Sequence, residues 1–158
     1  MRILYTAFKG STNSSKLLLD CIDAKNKLYL TNSFETSVLE FKKELIKNDY
    51  DLVISFGQAP LGKDTIKIET TALCGIEYVT NYDYSDLQNI LNGEYKVIVS
   101  NNAGNYLCNN IYYYGLDFIN KNRLETKMIF IHIPKKDKIS DIKKLANIFS
   151  NKVVNPNE

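Results

Sequence analysis

Five short stretches of this chain are apolar at nearly every position: Ile3 to Thr6, Leu28 to Thr31, Leu52 to Phe56, Tyr95 to Val99 and Met128 to Ile133. A strand with one face in water alternates apolar and polar residues, so near-continuous runs this short predict strands covered on both faces, the habit of a largely parallel sheet. Parallel neighbours need crossover helices, and the intervening sequence supplies candidates. Val38, Phe41 and Leu45 recur at helical spacing behind a possible cap at Ser33, and Ile142, Leu145, Ala146 and Phe149 do so behind Ser140. A third helix is expected to begin near Asn105, whose side chain would cap it, with Leu107, Cys108, Ile111, Tyr112, Leu116 and Ile119 on one broad face. Ile66, Ile68, Thr70 and then Ile76, Tyr78 alternate as in a hairpin, with Gly75 near its turn. The pattern as a whole predicts an α/β fold with helices covering a mostly parallel sheet.

A chain of 158 residues with 44% hydrophobic and 24% charged content has enough apolar surface for one core. A single domain is expected over residues 1–150, followed by an Asn-rich end from Asn151 to Glu158 that should fray. Twenty Lys plus Arg against eighteen Asp plus Glu leave a net charge of +2, too small to argue for nucleic acid or an anionic membrane as partner. No stretch has the length of a membrane span, and the first residues turn polar too soon for a secretory signal, so a cytoplasmic protein is expected. Cys21, Cys74 and Cys108 form no close pairs, which predicts reduced thiols in place of a disulfide framework or a zinc knuckle.

The chemistry concentrates at Cys108 and His132. Cys108 falls in the first turn of the third predicted helix, where unpaired N–H groups favour a thiolate, and His132, the only histidine, closes the last strand pattern. A thiol beside an imidazole is a nucleophile with its base, although either residue alone is more often structural. In open α/β sheets ligands collect beyond the carboxyl ends of the strands. The exits Ala7 to Asn13, Gly57 to Pro60, Asn101 to Gly104 and His132 to Pro134 are therefore expected to open on one rim, with an aromatic, a carboxamide, glycine-bearing loops, a thiol and an imidazole, a composition that suits amide hydrolysis. Cys21 and Cys74 read as structural, and the Tyr112-Tyr113-Tyr114 cluster and the basic run Lys135-Lys136-Asp137-Lys138 receive no function. No Gly-x-Ser-x-Gly, His/Cys cluster, Walker loop or dinucleotide fingerprint is present, so no metal and no cofactor is expected.

Thr6-Ala7-Phe8, Gly57-Gln58-Ala59, Ile66-Lys67-Ile68-Glu69, Asn102-Ala103-Gly104-Asn105-Tyr106-Leu107-Cys108-Asn109 and Phe130-Ile131-His132-Ile133-Pro134 resemble, in the same order, the successive motifs of pyroglutamyl peptidase I. The resemblance implies a three-layer α/β/α sandwich of the phosphorylase/hydrolase-like kind and a cytoplasmic cysteine peptidase that removes an amino-terminal pyroglutamate, so that the partner is a peptide with a blocked N-terminus, and subunits that associate into a homo-oligomer. It makes Cys108 the nucleophile, His132 the general base and Glu69 the residue that orients the imidazole. Without it, Glu69 is an ordinary outward-facing strand carboxylate. Phe8 corresponds to an aromatic that packs on the lactam ring, Tyr106 and Leu107 to an apolar wall, and Gln58 to a polar group near the lactam; Asn13, in the first loop, joins this substrate-binding set. The chain departs from the family pattern in a short first loop, Lys9 to Ser15, without a second aromatic, in Thr70 where the family has an arginine, and in the reduced segment Thr71 to Gly93. These departures keep open a second reading, a catalytically impaired homologue that binds a small ligand or peptide.

Overall fold

The computed structural model describes residues 1–155. In chain order its elements are β1 (Ile3–Phe8), α1 (Ser14–Cys21), β2 (Lys27–Leu30), α2 (Phe34–Lys47), β3 (Leu52–Gln58), β4 (Thr65–Glu69), β5 (Thr71–Cys74) and β6 (Ile76–Val79). They are followed by α3 (Ser85–Asn92), β7 (Lys96–Ser100), α4 (Leu107–Lys121), β8 (Lys127–Ile133) and α5 (Ile142–Asn147), with a helical turn Ile148–Lys152 after α5. Six strands form one sheet in the order β2-β1-β3-β8-β4-β7, and β5 pairs with β6 apart from it. Three of the five apolar runs become the central strands β1, β3 and β8, buried almost throughout; the other two are the edge strands β2, half-buried, and β7, largely exposed, so neither is covered on both faces as expected. Successive residues of each strand face opposite sides, and two clusters result. Tyr5, Ile54, Phe56, Ile129 and Ile131 meet Leu18 and Leu19 of α1, Leu87 and Leu91 of α3, and Leu145 and Phe149. Leu4, Val53, Met128 and Phe130 meet Phe41 of α2 and Ile111, Tyr112 and Leu116 of α4. Helices thus cover both faces, giving the expected three layers.

Four corrections to the sequence reading position the site. First, Ile66 and Ile68 do not belong to the hairpin: β4 is a strand of the main sheet, antiparallel to β8 and parallel to β7, and the hairpin is β5 with β6, turning at Gly75. The run Ile66, Ile68, Thr70 alternates because β4 places Ile66 and Ile68 in one cluster and Glu69 toward the other face, a pattern that a half-exposed hairpin shares. Second, β4 and β7 therefore run against the other four strands, so the exit from β7 does not share their carboxyl edge. Residues 101–106 instead cross the face and deliver the start of α4 to the carboxyl end of β3. Third, Asn105 does not cap α4: Tyr106 occupies that position and offers no side-chain cap. Fourth, α5 is capped by Asp141, whose Oδ1 accepts from Lys144 N at 3.0 Å, while Ser140 N donates to Asp64 Oδ1 at 2.8 Å. The cap at Ser33 is as expected, its hydroxyl accepting from Thr36 N at 3.2 Å. Of the end expected to fray, Lys152 completes a helical turn and Val153 packs into the first cluster; residues 156–158 lie outside the described residues. No helix of the described residues is long and apolar enough to cross a membrane.

Candidate active site

Three strands and one helix build the site. Glu69 and Phe130 are direct partners across the antiparallel β4–β8 ladder, as are Lys67 and His132, so all four side chains leave the sheet on the α4 side. Gly57 of β3 is the parallel partner of His132 on the other flank. Its missing side chain is what admits the sulfur: a Cβ at Gly57 would stand 2.5 Å from Cys108 Sγ and 2.9 Å from the Phe130 ring. Cys108, second residue of α4, thereby projects its thiol into the slot over Gly57, whose backbone lies one strand spacing of about 4.8 Å from that of His132. Cys108, His132 and Glu69 line one open cleft of about 460 Å³, together with Gln58, Lys67, Ser100 and the loop from Asn102 to Tyr106.

Glu69 is completely buried and His132 is 7% exposed. Glu69 Oε1 lies 2.9 Å from His132 Nδ1. A carboxylate only accepts, so the contact places the ring proton on Nδ1 and leaves a lone pair on Nε2. The far oxygen, Glu69 Oε2, is buried without a partner among the described residues, and Tyr112 of α4 holds the same residue from behind, donating its hydroxyl to the Glu69 carbonyl oxygen at 2.8 Å. The His132 ring rests against Phe130, centroids 5.0 Å apart.

The Cys108 thiol departs from what a helix start alone predicts. Burial pushes its pKa up to about 12, and the Glu69 carboxylate adds to the rise. Desolvation and a nearby anion both penalise a thiolate, and here they outweigh the partial positive charge of the helix end. Burial and the carboxylate both favour the thiol over the thiolate at this position.

The remaining sequence candidates fall into three places. Gln58 lines the cleft, its Oε1 accepting from Ser14 N at 2.9 Å. Because a backbone N–H must meet the oxygen, the Gln58 amide nitrogen is left for other partners. Tyr106 also lines the cleft, 66% exposed, edge-on to Phe34 with centroids 5.4 Å apart. Phe8 and Leu107 are buried in the second apolar cluster and do not line the cleft. Asn13 caps α1, its Oδ1 accepting from Ser15 N at 2.9 Å and from the Ser15 hydroxyl at 2.6 Å. Cys21 and Cys74, read as structural, are exposed free thiols at the end of α1 and beside the hairpin turn. Missed by the sequence reading were the space at Gly57, the brace from Tyr112, and Asn109, whose carboxamide accepts from Leu73 N at 3.0 Å and donates to Leu73 O at 2.8 Å, tying the hairpin to the helix beside the thiol. Only the glycine within Gly57-Gln58-Ala59 carried any local signal. No group of three or more His, Cys, Asp or Glu side chains among the described residues is arranged to hold a metal ion.

Comparison with known proteins points to one family. The family model described as pyroglutamyl peptidase matches residues 85–147. The chain is 30% identical over 168 aligned residues to pyrrolidone-carboxylate peptidase 1 of Caldanaerobacter subterraneus subsp. tengcongensis, covering 85% of this chain and 82% of that one. It is 29% identical to the pyrrolidone-carboxylate peptidase of Thermosipho africanus, with the same coverage. Among solved structures, the pyrrolidone carboxyl peptidase from Thermococcus litoralis superposes with a TM-score of 0.79 over 98% of this chain and 92% of that one, at 20% identity, a likeness of fold.

Proposed function

This chain belongs to the pyroglutamyl peptidase family, and from that premise we propose that it is a cysteine peptidase that removes an amino-terminal pyroglutamyl residue from peptides, with Cys108 as nucleophile, His132 as general base and acid, and Glu69 as the residue that orients the imidazole. The observation that carries this reading is the buried Glu69–His132 contact at 2.9 Å beside a sulfur seated over Gly57. In the first half-reaction the thiol proton passes to His132 Nε2 as Sγ bonds to the scissile carbonyl carbon. The tetrahedral intermediate collapses when the imidazolium returns that proton to the amide nitrogen and the C–N bond breaks, leaving a thioester. Water then attacks the thioester, His132 takes one of its protons, and the sulfur leaves as the thiol. The backbone N–H groups in the first turn of α4, uncapped by any side chain, suit the oxyanion that forms beside Sγ.

The lactam needs apolar faces and a few amide partners. Gln58, its amide turned by Ser14, offers its nitrogen to the lactam oxygen, and Asn13 holds that arrangement in place by capping α1. Tyr106 covers the ring from the solvent side, with Leu107 and Phe8 as the apolar backing. The test is hydrolysis of a fluorogenic pyroglutamyl amide and of a prolyl amide by the wild type and by Cys108→Ser. We expect the wild type to cleave the first alone, and Cys108→Ser to lose at least about 10³ of that rate. A folded wild-type protein that cleaves neither amide would shift the assignment to a binding protein that keeps the thiol and imidazole without turnover.

A further inference from the structure

Lys67 is unused by the chemistry above, yet it stands in the same cleft. It is the direct cross-strand partner of His132, on the same face of the sheet, which sets their Cβ atoms about 5 Å apart. Its side chain is half-buried and lines the cleft with Cys108, Glu69 and His132. Among the described residues no carboxylate pairs with it, whereas Lys16, Lys121 and Lys144 each have a partner within 4.0 Å. The nearest anion along its own strand, Glu69, is sealed in the interior and engaged with His132. Among the described residues no other lysine or arginine lines the cleft.

We propose that Lys67 selects substrates whose leaving residue carries a carboxylate. The inference rests on the pyroglutamyl-peptidase reading and deepens it. His132 must hand its proton to the departing amine, so that amine sits against the imidazole, and whatever is attached to it lies within reach of the side chain next to His132 across the ladder. An ammonium on a flexible stem at that place recognises a negative charge on the leaving residue, either the α-carboxylate of a dipeptide or the side chain of an acidic residue in a longer peptide. The lactam on the other side of the scissile bond is neutral, so the charge selects for the leaving residue alone.

The experiment compares kcat/KM for pyroglutamyl-alanine with pyroglutamyl-alanine amide, and for pyroglutamyl-glutamate amide with pyroglutamyl-glutamine amide, at low and at high salt. We expect the wild type to favour the charged member of at least one pair about five- to tenfold at low salt, with the preference shrinking as salt rises. The first pair reports the α-carboxylate and the second the side chain. Lys67→Met should bring the ratio to about one, and Lys67→Arg should keep most of it, which guards against a mere folding defect. A wild type that cleaves pyroglutamyl amides without regard to charge, or a preference that survives in Lys67→Met, overturns the role of Lys67 and leaves the parent reading standing. Loss of all pyroglutamyl cleavage in a folded wild type overturns the parent reading, and this inference with it.

Discussion

At the scale of single residues, the site depends on an atom that is missing. Gly57 has an ordinary backbone conformation, so alanine there would meet no torsional strain and its whole effect would be the contact with Cys108 Sγ and the Phe130 ring. Overpacking of this kind costs about 1–3 kcal/mol, while displacing the sulfur from the carbonyl it attacks in the proposed reaction costs on the order of 10² in rate. Gly57→Ala is therefore expected to lower pyroglutamyl amide turnover about 10²-fold, measured well below a Tm that falls by less than about 10 °C; an unchanged rate would show that the slot does not aim the thiol. The same sulfur gives a pH prediction. With its pKa raised to about 12, the thiolate fraction of the free protein grows about tenfold per pH unit across the neutral and alkaline range. Alkylation of Cys108 by iodoacetamide should rise accordingly from pH 7 to 10, and a plateau near pH 8 would contradict the buried environment. Since the folded thiol holds its proton more tightly than the unfolded one, this group stabilises the fold below about pH 9, and that contribution is lost as pH climbs toward about 12.

Among the elements, β4 decides most. Had it run parallel to β8, Glu69 and His132 would still share a sheet, but the ladder that sets Glu69 opposite Phe130 and Lys67 opposite His132 would not exist. The hairpin that follows is fastened to α4 by the Asn109 carboxamide, through two hydrogen bonds to Leu73. Leu73 is exposed, so water replaces part of what is lost, and Asn109→Ala should cost only about 1 kcal/mol. Hydrogen exchange would detect it: amides of β5 and β6 should lose protection while those of β8 keep theirs, and equal loss in both would mean that the hairpin is not a separate unit. The strands of the parallel half were legible in the sequence because burial on both faces leaves no polar residue to interrupt them. The reversal of β4 was not, since Ile66, Ile68 and Thr70 alternate in the same way whether the strand joins the sheet or a hairpin.

Taken whole, the molecule closes its ends on each other. Tyr5 in the first strand donates its hydroxyl to the Phe149 carbonyl oxygen at 2.8 Å, and the Phe149 ring meets Phe56 edge-on at 4.9 Å. Both contacts lie in the cluster on the face away from Cys108, which is filled by α1, α3, α5 and the last helical turn. Phe149→Ala should cost about 3–5 kcal/mol and lower the Tm by roughly 6–20 °C for a chain of this size. At a temperature where the variant remains folded its kcat should match the wild type, and a fall in kcat there would mean that the far layer takes part in positioning the site.

By itself the sequence determined the α/β alternation, the central strands and the place of Cys108 in the first turn of its helix, because each is written in local periodicity or in a compact motif. Tertiary structure alone decided that Glu69, on local pattern a surface carboxylate, is buried against His132, that a glycine makes room for the sulfur, and that burial and a nearby carboxylate raise the pKa of the thiol. Burial, register and electrostatic environment are properties of neighbours brought in from distant parts of the chain, and no window of consecutive residues contains them.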